Sequence, residues 1–324
     1  MPSYPETTGY IIPTLLNVWR ETGDSEARRR ALEMADWELG VQLPDGAIPD
    51  LATGAPVVFD TGQVLFGWVG AFRETGDERY LAAALRAGDW MLGVMDADGA
   101  WRRCMGSSSG LTFNARSAWA LLELAGAAGA AGAAGEGRYA EAARRFLEWS
   151  LAREEGRGWF DLNCLNDGDR PLLHTIAYTA EGQLEAGLLL DEPRLLEAAA
   201  RTARELAAHV GSSGRMAGRF ARGWAPAASW ACLTGMAQIS RVWSRLHALA
   251  PEPLLAQAAA RALGFLTATH DVASGHGGLR GGIRGSFPIT GAYCRYRIPN
   301  WAAKFFVDAL RYGPGEDRQP AFKG

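Results

Sequence analysis

His174, Tyr178 and Glu181 stand in the stretch "HTIAYTAEGQLEAG" (174–187), spaced by four and then three residues. On a helix those intervals bring all three to roughly one face. Histidine and tyrosine can pass a proton to or from a substrate, and a carboxylate can act as acid, base or nucleophile. Two more acids stand at the heads of apolar stretches: Glu6 in "ETTGYIIPTLLNVWRETG" and Asp60 in "DTGQVLFGWVGAFRETG". Glu6, Asp60, His174, Tyr178 and Glu181 are the candidate catalytic groups. Asn114 and Arg116 open "NARSAWALLELAG"; Asn300, Trp301 and Lys304 open "NWAAKFFVDAL". Arg116, Lys304 and Glu181 are charges in apolar helices, so each needs a partner or a ligand. The competing explanation is local. Asp60 with Gln63 reads as a capping box, and Asn114, Ser229 and Asn300 as N-caps.

Aromatic and basic residues fall in the intervening segments. Trp101 and Arg102 follow "DGA", Trp159 and Asp161 occupy the matching place further on, and "GSFPITGAYCRYRIPNW" carries Tyr293, Tyr296 and Arg297. Aromatic platforms beside polar forks suit sugar rings, and arginine suits a carboxylate or sulfate. The candidate substrate-binding set is Trp101, Arg102, Asn114, Arg116, Trp159, Asp161, Tyr293, Tyr296, Arg297, Asn300, Trp301 and Lys304. Trp37, Trp90 and Trp149 recur at one repeat position and are assigned to packing.

An internal repeat positions these residues. "RETGDSEARRRALEMADWELGVQLPDGAIPD" (20–50) matches "RETGDERYLAAALRAGDWMLGVMDADGAWRR" (73–103) without a gap. Weaker copies lie at 137–160, 193–220 and 252–282. Six stretches rich in glycine, alanine and aromatics separate the copies, as expected for helices buried on most sides. The copies themselves are amphipathic. The expected fold is all-α: a closed (α/α)6-type barrel of about eleven to twelve helices, alternately inner and outer, in one domain over 1–324. Closure is preferred to an open solenoid because the inner stretches are so apolar. Short "TGD"-type turns lead from inner to outer helices. Long segments (42–58, 95–112, 154–173, 211–228, 270–299) lead back, which places loops and inner-helix N-termini at one mouth. Those N-termini favour an anionic group. The segment 125–137, "AGAAGAAGAAGEG", reads as a mobile connector.

Composition excludes several classes. The chain has 324 residues, 48% of them hydrophobic, and a formal charge of -3, which argues against nucleic acid as the main partner. No run of about 18 apolar residues is present to span a membrane, and "MPSYPETTGY" lacks the features of a signal peptide, so a cytoplasmic location is expected. Cys104, Cys164, Cys232 and Cys294 are scattered without a CxxC, so no metal and no other cofactor is expected. The pattern leaves the oligomeric state open.

The sequence "QLPDGAIP" and "MDADGAW", with "YPETTGYIIPTLL", "VFDTGQVLFGW", "LLHTIAYTAEG" and "NWAAKFF", resembles the α/α-toroid superfamily. This group holds six-hairpin glycosidases, polysaccharide lyases and the C-terminal domain of glucuronyl C5-epimerases. The resemblance spans nearly the whole chain and implies a carbohydrate-active enzyme of bacterial polysaccharide metabolism. Terpene cyclisation is disfavoured by the lack of DDxxD and DxDD. Hydrolysis of a glycosidic bond needs two carboxylates, and Glu6, Asp60, Asp161 and Glu181 are available. Elimination or C5 epimerisation needs a neutraliser of the sugar carboxylate (Asn114, Arg116, Arg297) and an acid or base (His174, Tyr178, Tyr296). Hydrolases are commoner on this fold, so hydrolysis of a uronate-containing oligo- or polysaccharide is the leading expectation. A non-catalytic glycan-binding protein is the alternative that would not need the acids.

Overall fold

The computed structural model describes residues 3–106 and 111–312; residues 107–110 of the expected loop 95–112 lie outside them. Eleven α-helices occur among the described residues. The odd-numbered ones are α1 (Pro5–Thr22), α3 (Val58–Thr75), α5 (Ala115–Ala130), α7 (Leu173–Leu190), α9 (Leu233–Leu249) and α11 (Asn300–Arg311). The even-numbered ones are α2 (Ser25–Val41), α4 (Glu78–Gly93), α6 (Gly137–Leu151), α8 (Pro193–Ala207) and α10 (Pro253–Thr269). The chain falls into two compact units, Met1–Ala152 and Arg153–Gly324. In the first, α1, α3 and α5 pack in a row, with α2 on α1, α4 on α3 and α6 on α5. In the second, α7, α9 and α11 form the row, with α8 on α7 and α10 on α9.

Burial follows the alternation read from the sequence. Every residue of α3 from Val58 to Ala71, and of α7 from Leu173 to Gly187, is buried. The outer α8 buries one stripe, including Leu195, Ala199, Thr202 and Leu206. Inner-helix indoles tie the layers together: Trp68 Nε1 donates to the Ala35 carbonyl and Trp243 Nε1 to that of Ala203.

The "TGD" turns have a local cause. Gly23 and Gly76 take left-handed conformations (φ 73° and 70°) that end α1 and α3, where a side chain would be strained. Asp24 and Asp77 then cap the next helix by accepting from the Glu26 and Arg79 amides at 3.0 and 2.9 Å.

The glycine of the "DG" pair does something else. A Cβ on Gly46 (φ 100°) would lie 2.3 Å from the Arg86 carbonyl oxygen, and one on Gly99 (φ 90°) 2.7 Å from that of Arg145. Gly158 and Gly214 meet the backbone of Thr202 and Arg261 in the same way. The loops that follow α2, α4, α6 and α8 thus lie directly on α4, α6, α8 and α10.

Two differences from expectation have simple origins. The "AGAAGAAGAAGEG" segment is partly helix, because α5 runs on to Ala130; its alanines favour that state. Two short antiparallel ladders also form, Phe220–Ala221 with Ala225–Pro226 and Ala231–Cys232 with Ser286–Phe287. Two-residue strands are too brief to leave a period-two pattern.

Gly46→Ala should lower stability by roughly 3–5 kcal/mol, combining left-handed strain with a backbone clash. Gly23→Ala has the same strain but open space around its Cβ, and should cost only about 1–2 kcal/mol. Chemical denaturation of the two variants measures the difference, and equal losses would refute the packing role of Gly46.

Candidate active site

In the first unit the polar groups gather around the start of α3. Val57 donates to the Ile48 carbonyl and Val58 to that of Cys104, at 2.9 and 2.8 Å. These bonds start the helix early, so Asp60 is its third residue and Val57 the N-cap, without a side-chain bond. The expected capping box is therefore absent. The Asp60 carboxylate accepts instead from the Tyr4 hydroxyl at 3.0 Å. Gln63 is directed elsewhere, its Oε1 accepting from Arg116 Nε at 2.7 Å.

Asp60 is 4% exposed. Burial pushes its carboxyl up to about 7, although the Tyr4 hydrogen bond opposes the shift. Tyr4 is raised in turn, by burial and then by the charge of Asp60 and Glu6. Behind them, Glu38 occupies the buried stripe of α2 with Ala27, Ala31 and Ala35. It is fully buried, and neither carboxyl oxygen has a hydrogen-bond partner among the described residues. Burial, with the neighbouring Asp60 charge, holds its carboxyl well above the ordinary range. Glu6 lies half-buried in the first turn of α1.

The remaining first-unit candidates are accounted for as follows. Arg116 is buried with its guanidinium 5.1–5.9 Å from the Phe66, Trp119 and Tyr10 ring centres. Asn114 is the N-cap of α5 by position, but its side chain caps no amide; its Oδ1 accepts from the Ser117 hydroxyl at 3.0 Å. Trp101 is fully buried, stacked on Phe146 with Nε1 on the Met91 carbonyl, so its ring is part of the packing. Arg102 is exposed and paired with Asp96 and Asp98.

In the second unit His174 is the second residue of α7, and Leu172, not His174 or Thr175, is the N-cap. Its Nδ1 lies 2.5 Å from Gln238 Oε1 on α9. Aromatic rings surround it: Tyr178 at 4.4 Å, Tyr293 at 5.5 Å and Phe305 at 6.0 Å between centroids. Burial raises the Tyr293 phenol well above its ordinary value, and Trp301 Nε1 donates to its oxygen at 2.8 Å.

Glu181 separates from this group. It accepts from Arg241 at 2.6 Å, and Arg241 also reaches Glu185 at 2.8 Å; Arg245 completes the set on Glu185. Burial alone would raise Glu185, but Arg241 and Arg245 outweigh it and lower it. Lys304 pairs with Asp308 one turn along α11, at 2.6 Å. Trp159 is buried edge-on to Trp224. Asp161 is half-buried; its amide donates to the Arg153 carbonyl. Tyr296, Arg297 and Asn300 are exposed. Asn300 is the first residue of α11 and Pro299 its N-cap, while Ser229 sits ahead of α9 in the loop, so neither caps its helix as expected.

Sequence reasoning passed over Tyr4, Glu38 and Gln238. Glu38 was findable as a carboxylate on the apolar stripe of an amphipathic helix, and Gln238 as an amide inside a buried one. Asn163 accepts from the Thr179 hydroxyl at 3.0 Å and so fastens the preceding loop to α7. Only the coordinates pair Tyr4 with Asp60. Among the described residues no cluster of His, Cys, Asp and Glu could hold a metal ion, and no helix is long and apolar enough to cross a membrane.

No protein-family model matches the chain, and no curated protein matches it in sequence. Solved structures do match. The unsaturated glucuronyl hydrolase from Bacillus sp. GL1, described as responsible for the degradation of glycosaminoglycan, superposes with a TM-score of 0.69 at 17% identity, over 96% of this chain and 86% of that one. A sugar epimerase from a ruminal bacterium gives 0.75 at 11% identity, over 96% and 88%. A polysaccharide lyase gives 0.68 at 12%, over 96% and 90%. The chain has the α/α-toroid fold. These likenesses establish the fold, and the chemistry must be argued from the residues.

Two expected outcomes follow from the buried charges. The Asp60 carboxyl is raised above its ordinary 3.8, so the folded state holds that proton more tightly than the unfolded chain does. Its contribution to stability is complete at low pH and is lost as pH rises from about 4 to about 7, with no further loss above. Asp60→Asn should therefore flatten the fall in unfolding free energy over that window. An undiminished fall in urea titrations would place the titrating group elsewhere. In the second unit, Arg241→Met should destabilise by about 3–5 kcal/mol, because Glu181 and Glu185 lose a shared cation; a thermal shift within error of zero would contradict that role.

Proposed function

We propose that the protein is a carbohydrate-active enzyme that hydrolyses a glycosidic bond in a uronate-containing oligosaccharide, with Asp60 as proton donor. The observation that carries this reading is the Asp60 carboxyl itself. It is buried, bonded to Tyr4 and raised to about 7, so much of it is protonated near neutral pH. A glycosidase needs one carboxyl in that state to protonate the leaving oxygen. Glu6, in the first turn of α1, is the second acid of the same cluster. Arg116 supplies positive charge on the neighbouring α5, which suits a uronate carboxylate. The fold shared with a glucuronyl hydrolase that degrades glycosaminoglycan supports the substrate class.

A second reading, uronyl epimerisation or elimination, is favoured by the His174 cluster. His174 and Tyr178 are adjacent acid–base groups, and sugar epimerase and polysaccharide lyase structures share the fold. Product mass separates the readings. Hydrolysis adds one water and yields two sugars, epimerisation leaves the mass unchanged, and elimination leaves a conjugated uronate.

The test is to incubate the protein with saturated and unsaturated uronyl disaccharides from glycosaminoglycans and to follow products by mass spectrometry. Hydrolysis is expected, and Asp60→Asn should reduce it by about 10²–10⁴-fold, the scale of a positioned acid. Full activity in Asp60→Asn, or an isomeric product, would overturn the leading reading.

A further inference from the structure

The α7–α9 crossing brings Gln238 to His174. A Cβ on Gly235 would lie 2.7 Å from the His174 amide nitrogen and 2.8 Å from the Leu173 carbonyl carbon. Only glycine permits helices this close. One turn further along α9, Gln238 is 1% exposed, and its Oε1 stands 2.5 Å from His174 Nδ1. Its amide nitrogen is buried with no hydrogen-bond partner among the described residues. An orphaned buried donor is destabilising, a cost that leucine or methionine at this position would avoid. The side chain's hydrogen bond among the described residues is the one to His174.

We infer that Gln238 is a positioning residue that fixes His174 in the Nδ1–H tautomer and leaves Nε2 as the proton-accepting nitrogen. An amide oxygen only accepts, so the proton of neutral His174 must sit on Nδ1. Gln238 carries no charge, so it selects the tautomer and holds the ring without placing a carboxylate beside it. The ring cannot turn over without giving up this bond. A histidine held this way is prepared for general-base work at Nε2. That use of the tautomer rests on His174 being a site residue; the tautomer itself does not.

The test reads the tautomer directly, without requiring a known substrate. Long-range proton–nitrogen correlation spectra of the 15N-histidine-labelled full chain would be recorded at a pH where neutral imidazole dominates, with His174→Gln to assign the signals. The wild-type spectrum should show Nδ1 as the protonated nitrogen and Nε2 as the bare one. Gln238→Glu should keep that pattern, because a carboxylate also accepts from Nδ1–H. Gln238→Met should lose it, giving a mixture or the reverse assignment. An Nε2–H tautomer in the wild type overturns the inference, as does an Nδ1–H tautomer that persists in Gln238→Met. If Gln238→Met fails to fold, the wild-type and Gln238→Glu spectra still decide. Absence of sugar-directed activity with the Nδ1–H pattern present would count against the functional reading alone.

Discussion

Within each unit, loops are registered on outer helices by backbone lying on backbone. Gly46, Gly99, Gly158 and Gly214 each take a positive φ and touch the main chain of the next outer helix, at Arg86, Arg145, Thr202 and Arg261. The Thr202 hydroxyl even donates to the Gly158 carbonyl at 2.7 Å. Because each contact falls just after an outer helix, it fixes where the long return segment begins. Two residues after Gly46, the Ile48 carbonyl receives the Val57 amide and so sets the start of α3. The place of Asp60 is thus set from the preceding hairpin. Packing of this kind leaves the loops beyond it free to vary without disturbing the helices.

Buried charge is handled in two different ways along the chain. The Glu181–Arg241–Glu185–Arg245 set is neutral overall, and each member has an opposite charge within hydrogen-bond reach. Such a set ties α7 to α9. Asp60, Glu38 and Tyr4 are all acids, and burial raises each of them. Crowded acids without a counter-charge lower their repulsion by keeping protons. Breaking the first arrangement would leave buried charges unpaired; the second lowers stability as pH rises from about 4 to about 7. Proteins accept that kind of local loss at sites that do chemistry.

The fold was legible because its signals are periodic. A repeat without a gap, six apolar stretches and paired "TGD" turns define the hairpins in the sequence itself. The candidate site was legible in part, for two physical reasons. Helix starts were placed too late by up to three residues: Asp60 and Asn300 look like caps, whereas α3 begins on Val58, whose amide donates to the Cys104 carbonyl, and α11 begins on Asn300 itself. One-dimensional spacing also cannot say which side chain a polar group meets. His174, Tyr178 and Glu181 do share one helix, yet His174 turns to Gln238 and Glu181 to Arg241. Trp101 looked like a platform because it follows a loop glycine, but its indole is used inside, on Met91 and Phe146.

The same comparison explains why Gln238 matters more than its composition suggests. A carboxylate in its place would have joined a region where Glu181 and Glu185 already occupy α7 and two arginines on α9 answer them. A neutral amide meets the imidazole without altering the charge of the unit, and leaves the ion pairs one to two turns deeper undisturbed. Ring orientation and helix pairing are thereby separated on a single pair of helices, α7 and α9. The glycine at 235 makes the approach close enough for the amide, Gln238 holds the ring, and Arg241 holds the helices. The three residues thus meet α7 at successive places along α9: its backbone at Leu173 and His174, the His174 ring, and the Glu181 and Glu185 carboxylates.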